Sequence, residues 1–354
     1  MAKLFLKITV LIAIVWLANN ALFHFFKLPV LWGIDGEREN FYAHHAENYN
    51  TLFLGSSLTY RQIDPQLFDS LNRINSISTA SFNYGIDGST PVEIFSIYKH
   101  ILAKKPKTLK NVLVELDFIN NFDIDQMHSL RRKSFFGFAQ YKYELPIVLQ
   151  SSFGFAEKCG FLSFDFVHFI ESEFKIGMLK DAYLFGLNKR ELTDTSRVKD
   201  YNPLIFKEEE QEVKFLNKKY VNPHIKFIQE KKPALLQNTK AAKEMFTNKA
   251  FRDELKVNVV YKGLVHEMIA LAKEKGINLI FVLPPRLSPT HYKDLLPVYF
   301  SIPKAQRIEL ADANEYPDFY KLEYSYDLWH VTEPGSKIYS AALQKKFVEL
   351  NSAP

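Results

Sequence analysis

Cysteine is almost missing from this chain: Cys159 is the only one in 354 residues, which excludes an intrachain disulfide and a cysteine-built zinc site. Cys159 itself reads as a small buried residue. A Walker-type phosphate loop is absent too. Gly85-Ile86-Asp87-Gly88 comes after a strand signal, but it lacks the third glycine of a dinucleotide fingerprint. No cofactor is therefore expected. Excess charge of one sign is also wanting, since the formal net charge is only +5 and the basic residues are scattered among acids. A nucleic-acid surface is not expected from that pattern. Long apolar runs are confined to one place, the N-terminus, so a multi-spanning membrane protein is excluded.

What is present describes a folded protein, with 47% hydrophobic, 24% charged and 15% aromatic residues. Lys3 and Lys7 lead into an apolar run, Ile8 to Ala18, which Asn19 and Asn20 interrupt before Phe25-Phe26. The stretch is long enough to cross a bilayer as a helix. No small-x-small cleavage site stands out, so residues 1–27 are expected to be an uncleaved signal anchor. Lysines ahead of the run predict a cytoplasmic N-terminus and an extracytoplasmic body. The connector over 28–49 contains His44-His45 and Glu47, which read as solvated residues rather than metal ligands because adjacent histidines do not readily face one ion.

From residue 50 the signals alternate. Strands are expected at Thr51–Gly55, Thr79–Tyr84, Asn111–Leu116, Ile277–Leu283 and Arg307–Leu310. Helices are expected at Pro65–Leu71, after the cap Thr90-Pro91-Val92-Glu93, along the stripe Tyr261, Leu264, Val265, Met268, Ile269, Ala272, and over Glu333–Leu350. Apolar strands separated by helices predict a flavodoxin-like three-layer α/β/α domain over 50–350 with a mostly parallel sheet of about five strands. The alternation lapses over about 120–256, a span too long for a loop, which predicts a mainly helical insertion. Arg131 to Phe136 is aromatic and basic, and Lys207 to Lys219 is heavily charged. Core packing and a solvated helix face are the preferred readings of the two.

Two short motifs carry chemistry. Phe53-Leu54-Gly55-Ser56-Ser57-Leu58-Thr59 places serines just after the first strand, and Asp327-Leu328-Trp329-His330 places a histidine three residues beyond an aspartate. A serine hydroxyl attacks a carbonyl at neutral pH only if a base takes its proton, and that base needs an orienting carboxylate. In a parallel sheet both motifs can reach the carboxyl edge. Arg286, after Pro284-Pro285, could stand on the same edge as a contact for an anionic substrate, or be a plain loop arginine.

These blocks resemble the SGNH superfamily, the GDSL-type hydrolases. The first block is similar to that family's nucleophile block with Ser56 in place of its aspartate, which makes Ser57 the nucleophile. Asn83-Tyr84-Gly85-Ile86-Asp87-Gly88 resembles the second block and implies that Gly85, with Ser57, donates a backbone N–H to an oxyanion hole. The last block, with Pro334-Gly335 after it, implies His330 as base and Asp327 as its partner. The third block differs. Asp117 takes the glycine place and Ile119 the asparagine place, so a side-chain donor would come from Asn120 or Asn121 after a shift of one or two residues, and Asp117, if it points inward, is a possible substrate contact that would repel a developing oxyanion. The resemblance implies a serine esterase or O-acyltransferase acting through an acyl-enzyme. With the anchor, it resembles accessory proteins of cell-surface polymer acylation, implying an envelope glycan as substrate and a multi-spanning membrane O-acyltransferase as partner. The alternative is an exported glycan-binding scaffold that keeps the fold without the chemistry.

Overall fold

The structure, a computed structural model, describes residues 2–25, 33–104, 106–117, 137–176 and 223–352. Asn120, Asn121, the Arg131–Phe136 stretch and the Lys207–Lys219 run lie outside the described residues. Along the chain, α1 (Ala2–Phe25) and α2 (Gly33–His45) precede β1 (Thr51–Gly55), α3 (Ser57–Gln62) and α4 (Pro65–Ile74). Then come β2 (Ser81–Gly85), α5 (Pro91–Lys104), β3 (Asn111–Glu115), α6 (Phe138–Gln150) and α7 (Phe155–Phe174). The remainder comprises α8 (Pro223–Thr247), α9 (Lys249–Asp253), α10 (Val259–Lys275), β4 (Asn278–Leu283), α11 (Pro289–Ser301), β5 (Arg307–Glu309) and α12 (Glu333–Ser352).

Two compact units emerge: Met1–Tyr42 with Asn121–Thr195, and Ala43–Asn120 with Ser196–Pro354. α6 and α7 group with the N-terminal helix, whereas α8 belongs to the sheet-bearing unit, where Phe246 meets Tyr292 of α11 edge-on at 5.9 Å.

In the sheet-bearing unit five strands, all parallel, run in the order β2-β1-β3-β4-β5. This is the expected α/β architecture. β1 is buried at every position, as its unbroken apolar sequence requires of a central strand. On one face Phe53 of β1 meets Phe68 of α4 edge-on at 5.0 Å, and Phe68 meets Phe347 of α12 at 5.4 Å. Fully burying each ring contributes about 1.5–3 kcal/mol. Across the sheet the buried Tyr98 of α5 donates to the Met268 carbonyl of α10 at 3.2 Å. Local signals set the helix starts. Thr90 and Glu93 form the reciprocal cap of α5, with Thr90 N–H on Glu93 Oε2 at 2.8 Å and Glu93 N–H on Thr90 Oγ1 at 3.3 Å. Asp64 caps α4, and Gly276, at φ 68°, closes α10.

In the other unit α1 contains Lys3–Leu22, a helical segment long and apolar enough to cross a membrane. The α6–α7 hairpin buries Ile147, Val148, Phe153 and Phe161, the last two stacked at 4.9 Å.

Candidate active site

In the order 2-1-3 the chain changes direction between β1 and β3, and the carboxyl ends of such a pair of strands open a crevice. β1 ends at Gly55 and β3 at Glu115, so Ser56–Ser57 and Leu116–Asp117 leave the sheet at that edge.

After β1 the chain turns at once into α3. Ser56 is its N-cap, with its Oγ accepting the Leu58 N–H at 3.3 Å. Ser56 Oγ also donates to Glu115 Oε1 at 2.6 Å, and Ser56 N–H to Oε2 at 3.0 Å. Thr59 adds its N–H at 2.9 Å and its hydroxyl at 2.5 Å to the same Oε2. A buried carboxylate thus collects four donors from one turn. Burial pushes the Glu115 carboxyl above its ordinary value, and the bonds from Ser56 and Thr59 pull it back only in part. Only glycine fits at position 55, because a Cβ there would lie 2.0 Å from Thr59 Oγ1 and 2.3 Å from Glu115 Oε2.

Ser56 is buried and engaged by Glu115, whereas Ser57 is half-buried. Its Oγ lies 2.8 Å from His330 Nε2, and His330 Nδ1 lies 2.8 Å from Asp327 Oδ2. With Nδ1–H donating to Asp327, Nε2 is left to accept the serine proton. Asp327 Oδ1 accepts the N–H groups of Trp329 at 2.6 Å and of His330 at 2.7 Å, so the carboxylate also shapes its own loop. Burial pushes the Asp327 carboxyl up. The His330 charge, the ring hydrogen bond and the two backbone donors outweigh it and bring the carboxyl down to about 2.

Arg286, read as a possible substrate contact, does something else. It is fully buried, and its two terminal nitrogens donate to the carbonyls of His330 and Asp327. Burial lowers it to about 10, so it still carries its charge at neutral pH. Its φ of 70° is unusual for a residue with a side chain, and its N–H is fixed on Tyr320 Oη at 3.1 Å. Gln62 ties the two motifs together, its Nε2 donating to the Trp329 carbonyl at 3.1 Å. Trp329 stacks on His291 at 5.5 Å, and burial holds that imidazole neutral by lowering it to about 4.

The oxyanion donors come out differently from the sequence expectation. The Gly85 N–H is engaged by Asn83 Oδ1 at 2.9 Å, while Asn83 Nδ2 donates to the Thr59 and Ile63 carbonyls, each at 2.8 Å. Gly85 therefore serves close packing: a Cβ there would sit 2.3 Å from the Tyr60 nitrogen. Ser57 N–H, at the start of α3, has no acceptor among the described residues and stays open to an oxyanion. Asp117 is fully buried, and its carbonyl accepts the Tyr261 hydroxyl. Asn120 lies outside the described residues.

Glu115 and Asn83 were the residues that sequence reasoning passed over. A signal existed for the first: an acid at the end of the otherwise apolar run Val112–Leu116. Among the described residues no group of histidine, cysteine and acidic side chains could hold a metal ion. No family model matches the chain, and no curated protein matches it.

Proposed function

We propose that the protein is a serine-dependent acyl-transferring enzyme of the SGNH type, an esterase or O-acyltransferase. The observation that carries this reading is the continuous relay Ser57 Oγ, His330 Nε2, His330 Nδ1, Asp327 Oδ2, closed by two contacts of 2.8 Å. His330 takes the Ser57 proton as Oγ attacks an ester carbonyl, and Asp327 stabilises the imidazolium. The negative charge forming on the carbonyl oxygen meets the Ser57 N–H. Collapse expels the alcohol, which leaves with the proton from His330, and an acyl group remains on Ser57. Water gives hydrolysis; a sugar hydroxyl attacking with the help of His330 gives transfer.

The apolar α1 favours a site tethered to a membrane, and the lysines before it favour an extracytoplasmic body. An acylated envelope glycan then fits as substrate, with a multi-spanning membrane O-acyltransferase as the acyl source. A non-catalytic glycan-binding scaffold is the second reading. It is favoured by the Gly85 N–H being engaged by Asn83, which removes one expected oxyanion donor. Such a donor is worth roughly 10²–10³ in rate.

A burst experiment with p-nitrophenyl acetate separates the two. The enzyme reading expects rapid release of one nitrophenolate per chain, then slower turnover, with the burst lost in Ser57→Ala. A folded wild-type chain that gives no burst overturns it in favour of the scaffold.

A further inference from the structure

The α6–α7 hairpin is built inside out. Along α7 the inward stripe is Phe161, Asp165, His168 and Ser172, of which the last three are 2%, 1% and 2% exposed. The opposite stripe keeps the same helical spacing and is mostly apolar: Phe155 is 85% exposed, Phe166 54% and Val167 45%, with Cys159 between them. Cys159 is thus exposed rather than buried as its residue type suggested. Leu149 and Phe138 of α6 are exposed as well. A helix facing water shows the reverse arrangement, and an exposed stripe that is mostly apolar marks a contact surface.

Its occupant is indicated by α1. Asn19 Nδ2 donates to the Phe174 carbonyl at 2.8 Å, and Asn20 Nδ2 to the Glu173 carbonyl at 3.0 Å. These are last-turn carbonyls of α7, which lack partners within their own helix. The two asparagines that weaken the apolar run therefore act as a cap for α7. They lie within a turn of Leu22, where the membrane-crossing segment ends. The end of α7 is consequently pinned beside the end of the segment of α1 that is long and apolar enough to cross a membrane.

We propose that α7 lies against the membrane beside the exit of α1, with the Phe155–Cys159–Phe166 stripe seated in the headgroup and acyl-chain boundary. With α1 in a bilayer, lipid is the neighbour necessarily present at that level, and an apolar stripe on a helix about 30 Å long is the shape an interfacial helix presents. The hairpin then fixes the unit on the membrane at a second place besides α1. This inference is independent of the serine chemistry.

Cys159 allows the test without altering the sequence. The full chain is reconstituted in nanodiscs of phosphatidylethanolamine and phosphatidylglycerol, and Cys159 carries a spin label. Collisions with oxygen, which partitions into lipid, should exceed those with a water-soluble nickel chelate several-fold. Phe166→Cys in a Cys159→Ser chain should behave alike, while Lys345→Cys, on the exposed side of α12, should favour the chelate. Chelate preference at Cys159 overturns the proposal. So does a label shielded from both reagents, meaning that other residues of this chain cover the stripe. Dipolar broadening between labels assigns the stripe to a second copy, and a chain that fails to remain with the lipid excludes the seat altogether.

Discussion

The Ser57 turn is held by a buried acid, and the His330 loop by a buried base. Under the serine turn, Glu115 from the end of β3 receives two N–H and two O–H donors. Behind the histidine loop, Arg286 beyond β4 donates to two carbonyls. The start of a helix exposes N–H groups and calls for an acceptor, whereas a tight loop over Asp327–His330 turns carbonyls inward and calls for a donor. Each buried charge is matched to the backbone polarity it meets, so neither needs a partner of opposite charge. The difference lies in reach. Glu115 touches the turn adjacent to Ser57, while Arg286 fixes the loop through its main chain and leaves the His330 ring to Asp327.

Removing the relay itself should have the largest effect. Ser57→Ala and His330→Ala should each lower turnover by about 10⁶, measured as acyl-ester hydrolysis, because these groups act as a unit. Asp327→Asn, which keeps the shape of the loop, should cost about 10⁴ through the wrong imidazole tautomer.

The two anchors should give smaller losses of different kinds. Glu115→Gln should slow acylation of Ser57 by up to about 10²-fold, the effect of roughly 1 Å of misplacement, with the far-ultraviolet circular dichroism spectrum unchanged. Arg286→Met should instead register mainly in thermal unfolding, since each carbonyl left without a donor costs about 1–3 kcal/mol. Equal kinetic and stability losses in both variants would remove the distinction between them. Arg286→Lys should recover only part of the loss, because a single ammonium cannot reproduce the fork that spans two carbonyls.

Acid should separate the halves more gently. The folded-state Asp327 carboxyl is depressed to about 2, so its contribution to stability is present above its unfolded value near 4 and is lost as pH falls through about 2. Glu115 is shifted the other way. Unfolding measured from pH 5 down to about 2 should therefore lose a component in the wild type that is missing in Asp327→Asn.

Much of the frame was legible. Leu52–Leu54, Val112–Val114 and Ile280–Leu283 are unbroken apolar runs that parallel central strands demand, and the cap Thr90–Glu93 stated where α5 begins. The meeting of Ser57 with His330 was legible because both motifs leave strands toward the carboxyl edge of one parallel sheet. α3 was not, since a six-residue helix carries no periodicity. α11 was hidden by Pro289 at its start and Pro297 within it. Arg286 was legible as an arginine near the edge, but its inward direction depends on a φ of 70° that no residue pattern announces. Gly85 was misread for a related reason: the partner that engages its N–H, Asn83, lies only two residues away on the same strand.

The central claim is that Ser57, and not its neighbour Ser56, is the activated hydroxyl. Fluorophosphonate labelling of the chain, with mass mapping of the modified peptide, tests it most directly. A single adduct is expected on Ser57, absent in Ser57→Ala and strongly reduced in His330→Ala. An adduct on Ser56, or none on a folded chain, would contradict it.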